Sequence, residues 1–142
     1  MREILFRGQR KDNGNWISGS FHKRANECFI IPLPIVTSQS KVIPETVGQF
    51  TGLFDKNGKK IFEGDVIQFH KFRYEPDWVG VISYNQCQYV ATGKMPLAYE
   101  KTKDGEAFYC PFVVAVSGID KATITVIGNI HDNPELLEEG DS

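Results

Sequence analysis

Glu63, Asp65 and His70 form the compact acid–base group of this sequence. Two carboxyl groups two residues apart on a strand share one face, and an imidazole nearby completes the side-chain types used in general acid–base catalysis. The alternative is that Gly64-Asp65 forms a turn, in which the aspartate side chain binds backbone amides. The turn is the favoured interpretation, and nucleophile-elbow and phosphate-loop motifs are also absent. We therefore predict no catalytic residue and no enzyme activity.

Potential metal ligands are scattered along the chain rather than grouped. The cysteines and histidines are Cys28, Cys87, Cys110, His22, His70 and His131. No pair has the CxxC spacing of a zinc or redox site, and no histidine pair has the spacing of a metalloprotease helix. The pattern predicts reduced thiols and ordinary histidines, with no metal site and no cofactor.

The N-terminal region carries a local excess of positive charge. Residues 1–24 contain six basic side chains against two acidic ones, although the whole chain has a net charge of −2. Aromatic residues interleave with these cations, as they do where a protein stacks bases and binds phosphates. The alternatives are a solvated hairpin, or pairing with the acidic C-terminal end of a neighbouring subunit. The candidate nucleic-acid-binding residues are Arg7, Arg10, Lys11, Trp16 and Lys23.

The segment CFIIPLPIV, residues 28–36, is apolar but contains two prolines. Proline removes a ladder donor, which predicts an edge strand followed by an extended loop rather than a central strand. An apolar edge favours pairing with another chain, and a closed oligomer would satisfy it. The alternative is that the segment packs within its own protomer. The candidate interface residues are Ile30, Ile31 and Ile35.

Length and composition indicate a single soluble domain over residues 1–142. Its 41% hydrophobic and 24% charged residues are ordinary for a globular protein. No apolar run reaches the roughly 20 residues of a membrane helix, and the first residues lack the apolar core of a signal peptide. We therefore expect a cytoplasmic protein that makes no contact with membranes.

Turn residues divide the chain into many short strands. Asn13-Gly14 and Asn57-Gly58 each predict a tight hairpin, while residues 93–106 are expected to form a mobile excursion. In the second strand of the first hairpin, Trp16 and Ser18 fall on one face and Ile17 and Gly19 on the other. The pattern predicts a mainly β fold of short antiparallel strands, with an SH3-like or other small-barrel core.

One short helix is predicted, at the C-terminal end. Asn133 is a good cap, and Pro134 is tolerated in a first helical turn. The residues assigned to turns and to this cap are Gly58, Gly64, Asp65, Gly128, Asn133 and Pro134.

Several segments resemble the YopX-like family of phage and prophage proteins. They are REILFRG, NGNWISGSF, VIPETVGQFTGLFDKNGKKIFEGDVI, WVGVISY and TVIGNIHDNPELL, of which Thr46–Val66 and Val126–Leu137 are the most specific. The resemblance implies a mainly β protein, carried by phages and prophages, that self-assembles, with a hexamer as one expected state. It implies no established biochemical activity and transfers no catalytic residue.

Two hypotheses follow for the function. The first is a non-enzymatic, oligomeric binding or assembly module that acts on a phage or host protein in the bacterial cytoplasm. The second is a small nucleic-acid-binding protein that uses the N-terminal basic and aromatic face. Affinity that falls steeply with salt distinguishes the second from the first.

Overall fold

Eleven strands form in the described residues of the computed structural model, which are 4–32, 39–70, 78–85, 87–101 and 107–137, with 94–101, 107–112 and 137 described as backbone only. The chain divides into two compact units, Met1–Leu53 and Phe54–Ser142. The helices of the described residues are short 3₁₀ turns. The mainly β fold is therefore confirmed, whereas one domain over residues 1–142 stays a prediction.

The first unit contains a curled antiparallel sheet. Its strands lie in the order β4-β3-β2-β1-β5. They are β1 (Phe6–Gln9), β2 (Trp16–Arg24), β3 (Glu27–Ile31), β4 (Ser40–Val42) and β5 (Gly48–Phe54), with a 3₁₀ turn at Pro44–Thr46 before β5. The sheet curls because Arg10, just after β1, bridges Val42 of β4. Backbone bonds from Ile43 N to Gln9 O, 2.8 Å, and from Lys11 N to Lys41 O, 3.0 Å, hold that junction.

The inner face of this curled sheet holds the apolar core of the first unit. Cys28, Ile30 and Val42 are buried there, with Phe6, Ile17, Phe21 and Val47 packed against them. The alternation along β2 is as predicted, because Ile17, Gly19 and Phe21 face inward. Glycine at position 8 permits the curl, since a Cβ there would lie 3.0 Å from Val42 Cβ.

Two features of the first unit differ from the sequence expectations. β3 is an inner strand between β4 and β2, not an edge strand, because it ends at Ile31 and the prolines follow it. The predicted small barrel is also wrong. A single bridge joins β1 to β4, so the described strands of this unit form a curled sheet without continuous closure.

The second unit contains another antiparallel sheet, with the order β10-β9-β8-β7-β11. The strands of this unit are β6 (Lys60–Phe62), β7 (Asp65–Phe69), β8 (Trp78–Asn85), β9 (Gln88–Lys101), β10 (Ala107–Ala115) and β11 (Thr125–Asn129). Two 3₁₀ turns, Val116–Gly118 and Lys121–Thr123, connect β10 to β11. β9 continues to Lys101, so residues 93–101, predicted to lie in the excursion, belong to a strand. Residues 102–106 lie outside the described residues.

Turn residues set the geometry of the second unit as the sequence suggested. Gly58 and Gly64 have φ angles of 82° and 89°, which favour glycine. Asp65 is almost fully buried, and its Oδ2 accepts the Phe62 amide at 2.8 Å. Asp55 is also buried and binds three backbone amides, those of Asn57, Lys59 and Val126.

The C-terminal end forms a short 3₁₀ turn at Pro134–Leu137 instead of an α-helix. Asn133 precedes it, but its side chain accepts the Asn129 amide, upstream of the turn, at 3.3 Å. Gly128, predicted to lie in a turn, belongs instead to β11. It lies beneath this contact, where a Cβ would stand 2.5 Å from Asn133 Oδ1. Asn133 therefore ties the turn back to β11.

Candidate functional site

The outer face of the first sheet carries cations and aromatic rings side by side. The ladder pairs Arg7 with Ser18 and Gln9 with Trp16, which places Arg7 and Trp16 on the same face. The Arg7 guanidinium carbon lies 4.8 Å from the centre of the Trp16 ring, within cation–π range. Trp16 as a whole residue is half-buried at this position.

The same face extends to the far end of β2. His22 lies opposite Phe29, with ring centres 6.3 Å apart, and Arg24 lies opposite Glu27. Lys41 of β4 pairs with Phe29, so it shares this face. We call the surface formed by Arg7, Trp16, His22, Arg24 and Lys41 the outer basic face.

A cavity of about 320 Å³ opens where the turn after β1 meets β4. Its lining residues are Arg10, Lys11, Asp12, Gln39, Ser40 and Lys41. The backbone bond between Lys11 and Lys41 joins the two walls. We call this feature the basic cavity, because three cations and one carboxylate line it.

Local hydrogen bonds shape the turn that supplies one wall of the basic cavity. Arg10 donates its backbone amide to Asn15 O at 2.8 Å, and Gly14 N donates to Arg10 O at 3.0 Å. Gly14 has a φ of 75°, as the predicted Asn-Gly turn requires. The Arg10 guanidinium pairs with Asp12 at 2.7 Å, which orients it at the cavity.

The opposite wall carries a second ion pair. Lys41 Nζ lies 3.0 Å from Glu27 Oε2, and both side chains are well exposed. The pKa of the Glu27 carboxyl lies below its ordinary value, first because Lys41 donates a hydrogen bond to it and then because of the Lys41 charge. Lys11 and Arg24 lower this pKa further. The positive charges of Lys41, Lys11 and Arg24 therefore all act on the Glu27 carboxylate.

The residues predicted for nucleic-acid binding separate into three positions. Arg7 and Trp16 meet on the outer basic face, while Arg10 and Lys11 line the basic cavity. Lys23 lies opposite Cys28, so it belongs to the other face of the sheet, where its side chain is exposed.

Sequence reasoning missed the contribution of β4. Gln39, Ser40 and Lys41 belong to a polar run, TSQSK, that predicts a loop, and nothing in that run indicates a partner. The register that brings Lys41 beside Lys11 and Glu27 exists only once β4 has paired with β3. The one local indication of a basic site in this run is its single lysine, Lys41.

The candidate interface residues are also separated. Ile30 is fully buried in the core of its own unit, and Ile31 is half-buried on the outer face, opposite Ser20. Ile35 lies outside the described residues.

Among the acid–base candidates of the second unit, the Asp65 side chain has a structural partner. The Asp65 carboxylate is buried against the Phe62 amide, and the His70 backbone carbonyl accepts the Thr123 hydroxyl at 3.3 Å. Among the described residues, no three histidine, cysteine or acidic side chains are grouped as metal ligands. Of the cysteines, Cys28 is buried and Cys87 is exposed, whereas the Cys110 side chain is not among those described.

Comparisons with known proteins address the family and the fold. The family model described as "YopX protein" matches residues 5–138. A crystal structure of protein EF1440 from Enterococcus faecalis is similar, with a TM-score of 0.52 and 21% identity, over 96% of this chain and 99% of that one. No curated protein matches the sequence. In the part of the chain that is described, no helix has the length and apolar character of a membrane span.

Proposed function

The chain belongs to the YopX protein family, and we propose that this member binds single-stranded nucleic acid through the outer basic face of its first unit. The resemblance to phage and prophage proteins supports a site of action in the bacterial cytoplasm. The names of the family and of EF1440 state no activity, so the side chains of this protein carry the proposal.

The observation that carries this proposal is the contact between Arg7 and Trp16. A partly exposed tryptophan offers a flat apolar ring on which a base can stack, and such stacking contributes about 1–3 kcal/mol per base. Arg7 covers part of the ring and holds it in place, while adding positive charge beside it. The small side chain of Ser18, exposed next to Arg7, leaves open space on the same face.

The charge around Trp16 favours a polyanion although the chain as a whole is acidic. Arg24 and Lys41 continue the outer basic face, and Arg10 and Lys11 lie at its junction with β4. Asp12 and Glu27 pair with two of these cations but leave an excess of positive charge. A strand that follows β2 would place its phosphates along this row.

Trp16→Ala is expected to weaken binding of a labelled 20-nucleotide DNA or RNA strand by about tenfold or more, since one stacking surface is lost. Fluorescence anisotropy measures the affinity. With four phosphate contacts, raising the salt from about 50 to 200 mM should weaken wild-type binding about 50-fold. The matched control is Tyr84→Ala, which removes an exposed aromatic ring from the second unit.

Equal weakening by Tyr84→Ala and Trp16→Ala would contradict the proposal, as would affinity that is independent of salt. Absence of binding at low salt would also contradict it. Far-UV circular dichroism of both variants establishes that any loss of affinity occurs in a folded protein.

Self-assembly is a second candidate function, favoured by the edge of the second sheet. β10 pairs with β9 on one side, and no described strand pairs with its other side. Val113 on this strand is 65% exposed, an apolar side chain on an open edge. Such edges pair readily with a second copy of the same strand.

Val113→Lys is expected to shift the protein from an oligomer toward the monomer, because a repeated charge on the edge opposes pairing. Size-exclusion chromatography with light scattering, at tens of micromolar protein, measures the mass. Lys121→Glu, an exposed change elsewhere in the second unit, serves as the control. A monomeric wild-type protein would rule out this second candidate.

A further inference from the structure

The basic cavity has the chemistry of a site for a terminal phosphate. We infer that it binds a phosphate monoester group, the group carried by phosphorylated metabolites and by the phosphorylated end of a nucleic-acid strand. The inference goes beyond the proposed function. For a free phosphorylated molecule it stands alone, whereas for a strand end it rests on that function.

Charge is the first argument for a phosphate monoester. The three cations of the cavity wall, Arg10, Lys11 and Lys41, exceed the two carboxylates that pair with them, Asp12 and Glu27, by one charge. A phosphate monoester carries about −1.5 to −2 at neutral pH, so these cations attract it more strongly than an internal phosphodiester, which carries a single negative charge.

Hydrogen-bond donors are the second argument. A monoester presents three terminal oxygens, and charge-assisted bonds from guanidinium and ammonium groups are the strongest that such oxygens accept. The Ser40 hydroxyl and the Gln39 amide add neutral donors to the same lining. The wall thus supplies donors of several kinds around one concave space.

The walls of the basic cavity are held in place without any ligand. The bond from Lys11 N to Lys41 O and the bridge between Arg10 and Val42 fix the backbone on both sides. Asp12 orients Arg10 and Glu27 orients Lys41, yet the two cationic side chains remain 36% and 45% exposed. Exposed ion pairs of this kind contribute little energy, so a dianion displaces the carboxylates at small cost.

Size limits what else the cavity can take. At about 320 Å³ it lies at the lower end of the range of small-molecule pockets. This volume fits a phosphate with a sugar-sized group attached. The side chain of Asp12 offers an acceptor for a hydroxyl group of such a ligand.

The test measures binding of four probes to the whole chain by isothermal titration calorimetry. Inorganic phosphate, adenosine 5′-monophosphate and adenosine compare ligands with and without the phosphate. A fourth probe, a short DNA strand, is used with a 5′-phosphate and with a 5′-hydroxyl. The variant is Lys11→Gln/Lys41→Gln, and the matched control, Lys56→Gln/Lys121→Gln, removes two exposed lysines from the second unit.

We expect the monophosphate to bind at least tenfold more tightly than adenosine, and the Lys11/Lys41 variant to lose that difference while the control retains it. A 5′-phosphate that strengthens strand binding identifies the strand end as a source, and strengthening seen only with the free monophosphate identifies a small molecule. The inference is overturned if no phosphate-bearing probe is preferred, or if the preference survives in the Lys11/Lys41 variant.

The two proposals fail separately. If nucleic-acid binding depends on Trp16 but is not strengthened by a terminal phosphate, the result would support the proposed function and contradict this inference. If the monophosphate binds and the Lys11/Lys41 variant loses that binding, while no nucleic-acid strand binds, the result would support this inference and contradict the proposed function. Lys11→Arg, which keeps the charge, is expected to retain the preference and so separates charge from folding.

Discussion

Replacing Asp55 by alanine is expected to destabilise the second unit by about 3 kcal/mol. The carboxylate is buried, and its two oxygens accept three backbone amides: Asn57 at 2.8 Å, Lys59 at 2.9 Å and Val126 at 3.1 Å. Alanine leaves those amides without an acceptor, at a cost of about 1 kcal/mol or more for each.

Asp55 also makes the stability of the second unit depend on pH. Burial raises the pKa of its carboxyl, but the bonds from Val126, Lys59 and Asn57 and the charge of Lys59 lower it more, so the pKa lies below its ordinary value. The folded state therefore binds the proton less well than the unfolded chain. The stabilisation is fully present above the unfolded pKa and is lost as the pH falls through the folded pKa.

Urea unfolding with fluorine-labelled tryptophan measures this effect. The protein has two tryptophans, Trp16 in the first unit and Trp78 in the second, so each fluorine signal reports one unit. Asp55→Asn is the control, since it keeps the shape and one acceptor but has no carboxyl to titrate. A loss below about 1 kcal/mol in Asp55→Ala, or the same acid sensitivity in Asp55→Asn, would contradict the assignment.

Gly19→Ala is expected to destabilise the first unit by about 3 kcal/mol or more, at or beyond the upper end of ordinary overpacking. An added Cβ would lie 2.0 Å from the Ile31 backbone oxygen and 2.9 Å from Pro32 Cα. Both neighbours are backbone, so no side chain can rotate away. The strands β2 and β3 must separate where the inner face of the curled sheet forms.

The fluorine signal of Trp16 follows the unfolding of this unit. Gly118→Ala is the matched control, because a Cβ at Gly118 meets nothing within 4 Å. Wild-type stability in Gly19→Ala would show that β2 and β3 are not as close as the register implies. If only the Trp78 signal reported a loss of stability, the effect would lie in the second unit and the prediction would be wrong.

The sequence predicts local structure well, because local structure depends on neighbours in the chain. Asn13-Gly14 indicates the first hairpin, and the alternation after it assigns Ile17 to the core and Trp16 to the opposite face. Gly58 and Gly64 belong in turns for the conformational reason that the structure bears out. The family and the mainly β character are both predictable from the residues alone.

What the sequence does not predict depends on pairing between distant segments. Prolines at 32 and 34 argue against a central strand, but a proline affects only the ladder position that it occupies, and β3 ends one residue earlier. The basic cavity joins residues 10–12 to residues 39–41, and no local pattern carries that register. The ion pair between Lys41 and Glu27 cannot be predicted from the sequence for the same reason.

The hydrogen bond between Asp55 and Val126 joins residues 71 positions apart. This separation delays the folding of the second unit while the chain is being synthesised. At about 5–20 residues per second, Val126 is translated roughly 4 to 14 s after Asp55. Over a similar interval β7 has been translated but β11, the edge strand that pairs with it, has not. The first unit, complete in sequence by Leu53, can fold during this time. The nascent second unit therefore presents an unpaired strand edge to chaperones and to neighbouring nascent chains until β11 has been made.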